Sequence, residues 1–199
     1  MKRILVVAAA TLLMMVVTAV AADDEAIRVH LVGYQETPAT INSPGSGEFT
    51  AKIHSDGSAI DYELTYRDLS SMVLQSHIHF GRPGLTGGIV LWLCSNLPSP
   101  PTPPPPPVIQ ACPTTNPATI TGTLTAANVI PSAAPPAGQG IDPGAAGFAE
   151  MLKAIRVGAA YVNVHTTNHP SGEIRARLGP VDNDHRRDHD GGHDGDHDH

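Results

Sequence analysis

Histidine is the side chain in this sequence whose number and spacing best suit chemistry. The chain holds 11 histidines, and histidine is the commonest metal ligand and titrates near neutral pH. His77 and His79 stand two residues apart in a segment with strand character. Because side chains alternate across a strand, both project to the same side, where they can ligate one ion. Taken alone this spacing is a weak signal, because it occurs in many strands.

A second histidine pair follows a later alternating segment. His165 lies near the end of the strand predicted over Ala159–Thr166, and His169 lies in the turn before Pro170. Imidazoles from two strands suit Cu(II) or Zn(II), whose ligand sets favour nitrogen. The sequence therefore predicts a copper or zinc site within the domain, and its candidate ligands are His77, His79, His165 and His169. The open alternative is that these histidines are buried and hydrogen-bonded, and serve strand pairing.

The last 18 residues, 182–199, hold five histidines and seven aspartates and no apolar side chain. Such a tract cannot bury enough apolar surface to offset its ordering entropy, so we expect it to be disordered. Its residue types suit weak, multi-site metal binding, although a solubilising acidic tail fits the composition equally well. The candidate tail ligands are His185, His189, His193, His197 and His199.

The elements that must position the domain histidines are strands. Period-two alternation and turn residues predict eight of them: Ile27–Tyr34, Glu48–His54, Ile60–Arg67, Leu74–Phe80, Gly88–Cys94, Ala118–Thr125, Ala159–Thr166 and Glu173–Leu178. One segment, Ala146–Val157, instead has apolar residues three and four apart and is followed by Gly158, which predicts a short helix. The predicted fold is all-β, an antiparallel immunoglobulin-like or Greek-key β-sandwich or barrel with one helix. A single domain over 23–181 is expected.

Composition excludes several classes of function. The formal net charge of −7 argues against a nucleic-acid partner. The chain shows no nucleophile triad, paired-carboxylate motif, P-loop or dinucleotide fingerprint, so hydrolytic and nucleotide chemistry find no support. We therefore do not predict an enzyme, and a copper-dependent redox enzyme is the least favoured alternative.

The N-terminus is typical of a signal peptide. Lys2 and Arg3 precede an apolar stretch, and small residues before Asp23 form a cleavage site, so residues 1–22 are predicted to be removed. We expect a secreted or periplasmic protein with no membrane span after cleavage. In such a compartment two cysteines more often pair than stay free. A disulfide between Cys94 and Cys112 is therefore predicted, at the base of a proline-rich insert over about 95–111.

Five segments of the chain resemble the CHRD (chordin) domain in the form found in microbial exported proteins. They are HIHFG from His77, GGIV from Gly87, MLKAIRVG from Met151, YVNVHT from Tyr161 and PSGEIR from Pro170. The resemblance covers about Ile27 to Leu178. It implies an immunoglobulin-like β-barrel or sandwich and an extracellular location, and no settled biochemical activity for microbial members. The proline-rich insert and the His/Asp tail depart from the family pattern.

These observations favour an exported binding module that carries a transition metal, with metal ions and an extracellular protein as candidate partners. The alternative is a structural or adhesive interaction domain that binds no metal. Two further expectations concern individual side chains. Trp92 is expected to anchor the core or to stack near the disulfide. Glu173 and Arg175, which alternate outward from the last strand, are expected to form a surface ion pair.

Overall fold

The structure, a computed structural model, describes residues 23–98, 108–131 and 138–179. The predicted signal peptide, the tail over 182–199 and most of the proline-rich insert lie outside these residues. The described strands are β1 Glu25–Val32, β2 Ser46–Ile53, β3 Ala59–Arg67, β4 Val73–Phe80, β5 Gly88–Ser95, β6 Ala118–Thr125, β7 Ala160–Thr166 and β8 Ile174–Leu178. The helix α1 spans Ala145–Arg156, and short 3-10 turns span Gly33–Gln35 and Ala126–Asn128. The prediction of an all-β fold with one short helix is confirmed.

The eight strands form one antiparallel sheet in the order β5-β4-β7-β8-β1-β2-β3-β6. The sheet curls until its two edge strands, β5 and β6, contact each other without pairing. The result is a nearly closed barrel. Because β4 and β7 are neighbours in the order, the two strands predicted to carry the histidines lie side by side.

The inner face of the curled sheet carries the apolar core. Alternation puts Ile78 on β4, with Val162 and Val164 on β7, into this core, and each is fully buried. The same alternation turns His77, His79 and His165 toward the opposite, outer face. An outer face usually meets solvent, yet every residue of β7 is buried. Something must therefore cover the outer face at this place.

The helix α1 packs against the barrel through one apolar stripe. Phe148, Met151, Leu152 and Ile155 recur at three- and four-residue spacing, and all four are buried. Gly158 follows with φ of 68°, a left-handed conformation that suits glycine at a helix end. The observed helix begins and ends one residue earlier than predicted.

A disulfide joins Cys94, on β5, to Cys112, in the segment that leads into β6. It lies beside the seam between the two edge strands. Hydrogen bonds cross the same seam: the Tyr62 hydroxyl donates to Leu93 O at 3.0 Å, and the Ile130 amide donates to Val90 O at 3.0 Å. These contacts hold the two edges together without a strand ladder.

Within the described ranges, no helix is long and apolar enough to cross a membrane.

Candidate metal centre

Strand pairing brings the histidines of β4 and β7 together. In the register of this pair, His77 lies opposite Asn163, and His165 lies opposite Gln75. On one face of an antiparallel pair, directly opposite and diagonal neighbours are within side-chain reach. His165 is therefore a diagonal neighbour of His77, and His79 follows His77 on the same face.

The pairing of β4 with β5 is irregular at the same place. Its register shifts between Ser76 and His77, and again between Ile78 and His79. Such bulges bend a strand and re-aim the side chains beside them. The two shifts lie on either side of His77 and Ile78, so the bend in β4 re-aims the His77 side chain.

The three imidazoles His77, His79 and His165 form a compact buried group, which we call the histidine cluster. His77 is fully buried, and His79 and His165 are each 6% exposed. The ring centroid of His77 lies 4.5 Å from that of His79 and 4.5 Å from that of His165. One nitrogen from each ring can be chosen so that all three lie within 4.8 Å of one another. Three nitrogens bonded at about 2.1 Å to one ion lie no more than about 4.2 Å apart, so the observed separations are of the size that one ion requires.

Backbone carbonyls fix two of the three rings. Nδ1 of His79 lies 2.8 Å from Gly87 O, and Nδ1 of His165 lies 2.9 Å from Pro170 O. A carbonyl can only accept, so each Nδ1 carries the proton and donates. Each Nε2 then holds a lone pair, as it does in metal-ligating histidines that are oriented by an outer hydrogen bond. Oδ1 of the Asn163 side-chain amide lies 3.2 Å from Nε2 of His79. Both atoms are acceptors in this tautomer, so a hydrogen bond forms only when the amide turns its Nδ2 toward the ring.

Several cluster nitrogens have no hydrogen-bond partner in the part of the chain that the structure describes. They are both ring nitrogens of His77 and Nε2 of His165. Buried polar atoms are nearly always paired, and those that are not demand an explanation. A metal ion in the centre of the cluster would satisfy these lone pairs. The residues present therefore fit a metal that takes nitrogen ligands.

The electrostatics of the cluster keep its imidazoles neutral. Burial, together with the neighbouring rings of His165 and His79, holds the pKa of His77 well below its usual range. Burial lowers the pKa of His79 to about 4, and burial also lowers the pKa of His165. Neutral imidazole is the form that ligates a metal, so at neutral pH few protons compete for these nitrogens.

Loops cover the outer face over the cluster, which explains its burial. Gly87 belongs to the β4–β5 loop and Pro170 to the β7–β8 turn, and both supply carbonyls to the cluster. Glu173 binds two further loops, the one that precedes β2 and the one between β3 and β4. Its carboxylate accepts from the hydroxyl and amide of Ser70 at 2.8 Å each, from Ser43 at 2.5 Å and from Thr166 at 2.6 Å.

The expected surface ion pair between Glu173 and Arg175 is wrong. Glu173 is fully buried in the serine and threonine contacts above, and Arg175 is 3% exposed. The Arg175 guanidinium lies instead over the ring of Tyr161, 3.4 Å from its centroid. Strand alternation identified the face correctly, but it could not show that loops cover that face.

His169 lies in the turn after β7, half-buried and outside the histidine cluster. Its backbone amide donates to Thr166 O at 3.2 Å, as part of the turn that positions Pro170. The structure thus brings together three of the four predicted domain ligands. The five tail histidines lie outside the described residues.

Two aromatic side chains frame the cluster. Tyr161 stacks on His79, with centroids 4.4 Å apart and planes 8° from parallel. Trp92 contacts His77 edge-on at 5.0 Å, and its indole nitrogen is buried with no acceptor among the described residues. Trp92 is buried as expected, but it packs on the cluster as well. The contacts from Gly87 and Pro170 were missed because backbone carbonyls carry no residue-type signal.

A family model for the CHRD domain matches residues 27–178. The chain belongs to the CHRD-domain family. The match begins two residues inside β1 and ends at the last residue of β8. It therefore contains the other strands in full and the whole histidine cluster. No curated protein and no solved structure matches the chain. Membership of the CHRD family supports a binding module.

Proposed function

We propose that this CHRD domain is an exported binding module that holds one transition metal ion, copper or zinc, on His77, His79 and His165. One observation carries the proposal: three buried imidazoles converge, and three of their nitrogens have no other partner in the described residues. Nitrogen ligands without carboxylate or thiolate suit these two metals better than magnesium or calcium. The bound ion would supply a positive centre to which a further ligand could bond.

The competing function is a structural or adhesive domain in which the histidines serve the fold. The contacts of His79 favour it in part, since each of its ring nitrogens lies beside a polar group. His77 argues against it, because neither of its buried ring nitrogens makes a hydrogen bond of normal geometry within the described part of the chain, although the Asn163 side chain lies nearby. Metal binding therefore explains more of the contacts in the cluster than a structural role does.

Metal titration by calorimetry tests the proposal on the full chain. The five tail histidines are first replaced by asparagine, so that only the domain is observed. We expect one copper or zinc ion per chain, and a loss of affinity of more than about 100-fold in the His77→Ala/His79→Ala double variant. His30→Ala, which removes an exposed histidine from β1, is the matched control and should bind like the parent. Equal binding by all three proteins would exclude the cluster as the site.

We further propose that the His/Asp tail collects ions and raises their concentration near the domain. Restoring the tail histidines should add weaker sites without changing the affinity of the cluster. Tail histidines that add no sites would leave the tail as a solubilising segment.

Export is supported by two observations. The family to which the chain belongs suggests an extracellular setting, and Cys94 and Cys112 form a disulfide, which persists in oxidising compartments. Removal of residues 1–22 is part of this proposal. N-terminal sequencing of protein recovered from the periplasm or the medium should begin at or next to Asp23, and a chain that keeps Met1 in the cytoplasm would contradict it.

A further inference from the structure

Arg175 is a buried cation whose hydrogen-bond and ring partners are all neutral. Its side chain lies on β8 and is 3% exposed. The guanidinium donates to the Thr37 hydroxyl and to Leu85 O, the latter at 2.8 Å, and lies over the Tyr161 ring. No ion pair joins it to a carboxylate within residues 23–98, 108–131 and 138–179. Burying a charge without a full counter-charge is costly, and Glu36, the carboxyl that acts on Arg175, forms no ion pair with it, so a site of this kind is poised for an anion.

A cavity of about 270 Å³ lies beside this guanidinium. Arg177, two residues further along β8, projects to the same face and lines the same cavity. Its Nε donates to Gly158 O at 3.2 Å, and the residue is exposed. It too forms no ion pair among the described residues. Two positive side chains thus converge on one opening whose volume suits a small molecule.

Glu36 supplies a third polar group to the cavity. It is 5% exposed, and its Oε1 atom has no hydrogen-bond partner in the described residues. Burial raises its pKa to about 7, although Arg175 acts to lower it. Near neutral pH the carboxyl therefore keeps its proton about half of the time, and it cancels only part of the positive charge. In its protonated form it can also donate a hydrogen bond.

We propose that this cavity is a binding site for a small oxyanion, a carboxylate or phosphate, held by Arg175 and Arg177 with Glu36 as a third contact. A guanidinium offers two parallel N–H donors that match the oxygen spacing of both groups. Two arginines disfavour a cationic ligand, and a neutral ligand would leave the buried charge uncompensated. The oxyanion thus accounts for the unpaired cations and, when Glu36 is protonated and donates to it, for the unpaired Glu36 oxygen.

The oxyanion cavity is separate from the histidine cluster. The ring of Tyr161 lies between the two, stacked on His79 on one side and on Arg175 on the other. A ligand in the cavity therefore needs no metal in the cluster. Anion binding can be tested on chelator-treated protein, so the result of the test does not depend on whether the cluster binds a metal ion.

Nitrogen-15 NMR of the full chain, treated with chelator at pH 6.5, tests the proposal. Inorganic phosphate and acetate are titrated separately, each against sodium chloride of equal ionic strength. We expect saturable shifts at the Nε–H signals of Arg175 and Arg177 and at the amides of Thr37 and Leu85. Saturation by phosphate, by acetate or by both supports the site and identifies the oxyanion chemistry. No saturable shift from either anion up to tens of millimolar would overturn it.

Charge-matched variants separate a defined site from general attraction to a positive surface. Arg177→Gln, at an exposed position, should weaken binding about ten-fold. Arg28→Gln removes the same charge from an exposed position on β1, where Arg28 pairs with Glu48, and it should leave the affinity unchanged. Equal losses in the two variants would show non-specific binding and overturn the proposal.

Discussion

His77 combines complete burial with ring nitrogens that have no partner among the described residues. In metal-free protein those nitrogens lose their hydration and gain nothing in return, which costs about 1–3 kcal/mol per unpaired group. A ligand bound at these atoms would reverse this cost. Under the proposed metal-binding function, the residue opposes stability in the metal-free state and favours it in the loaded state.

This conflict predicts an unusual outcome for His77→Leu. In chelator, the free energy of unfolding should stay equal to that of the parent or rise by up to about 2 kcal/mol, because an unpaired polar ring is replaced by an apolar side chain. With metal at 100 times its dissociation constant, the parent should gain about 2.7 kcal/mol and the variant nothing. Urea unfolding with and without metal measures both. A large loss of stability in chelator would show that His77 serves the fold.

Glu36 makes the stability of the folded protein depend on pH with the opposite sign to that of a carboxylate in an ion pair. Its pKa is about 7 in the folded protein and near 4.5 in the unfolded chain, because burial disfavours the charged form. The folded state therefore holds the extra proton between these values, and stability falls as pH rises from 4.5 to 7. The groups that face Glu36 are Arg175, which opposes the shift, and Tyr161, which stays neutral in this range.

Glu36→Gln is neutral at every pH and should remove this dependence. Relative to the parent, the variant should be more stable above pH 7 by up to about 3 kcal/mol, and nearly equal to it at pH 4.5. Thermal unfolding at several pH values measures the difference. Glu63→Gln, at an exposed glutamate on β3, is the control and should run parallel to the parent. A difference for Glu36→Gln that does not vary with pH would contradict the assignment.

At the scale of elements, β4 and β7 carry the candidate ligands, and the loops determine whether those side chains are buried. Alternation in the sequence predicted β4, β7 and the face that each histidine takes, since those depend on local periodicity alone. The same periodicity assigned Arg175 to solvent, and it was wrong there. Whether a face is covered depends on loops that fold back from distant positions, such as the one held by Glu173.

Gly87 shows how tightly the β4–β5 loop is built against its strand. A Cβ atom at this position would lie 1.9 Å from Phe80 O, a backbone atom that cannot turn aside. Gly87→Ala should therefore move the loop, withdraw the Gly87 carbonyl from His79 and cost about 2–4 kcal/mol of stability. Metal affinity should fall about 10- to 100-fold through the loss of ring orientation.

Calorimetric titration and urea unfolding of Gly87→Ala measure the two effects. Thr86→Ala changes the exposed neighbouring residue in the same loop and should alter neither. If Gly87→Ala lost stability while keeping full metal affinity, the carbonyl at Gly87 would have no part in positioning His79.

At the scale of the whole molecule, strand pairing closes most of the barrel, and the seam between β5 and β6 has no strand pairing. Seven strand pairs connect β5 to β6, although β1 and β8 pair at a single position, Val32 with Arg175, and the two ends of this order meet unpaired. The seam is instead closed by the disulfide between Cys94 and Cys112 and by isolated bonds such as that from Tyr62 to Leu93. The histidine cluster lies on β4 and β7, one strand away from the seam, and it contacts β5 through Trp92.

This layout predicts that loss of the disulfide separates stability from binding. The bridge closes a loop between residues 18 apart in sequence, so the Cys94→Ser/Cys112→Ser variant should lose about 3 kcal/mol of stability. Amide hydrogen exchange should quicken at β5 and β6 first, because only unpaired contacts remain between them, while β1, β2 and β3 stay protected. Metal affinity at the cluster should change less than about three-fold, since β4 and β7 keep their pairing. Uniformly faster exchange across all eight strands, or a loss of metal affinity equal to that of a ligand variant, would show that the bridge holds the whole barrel and not its seam.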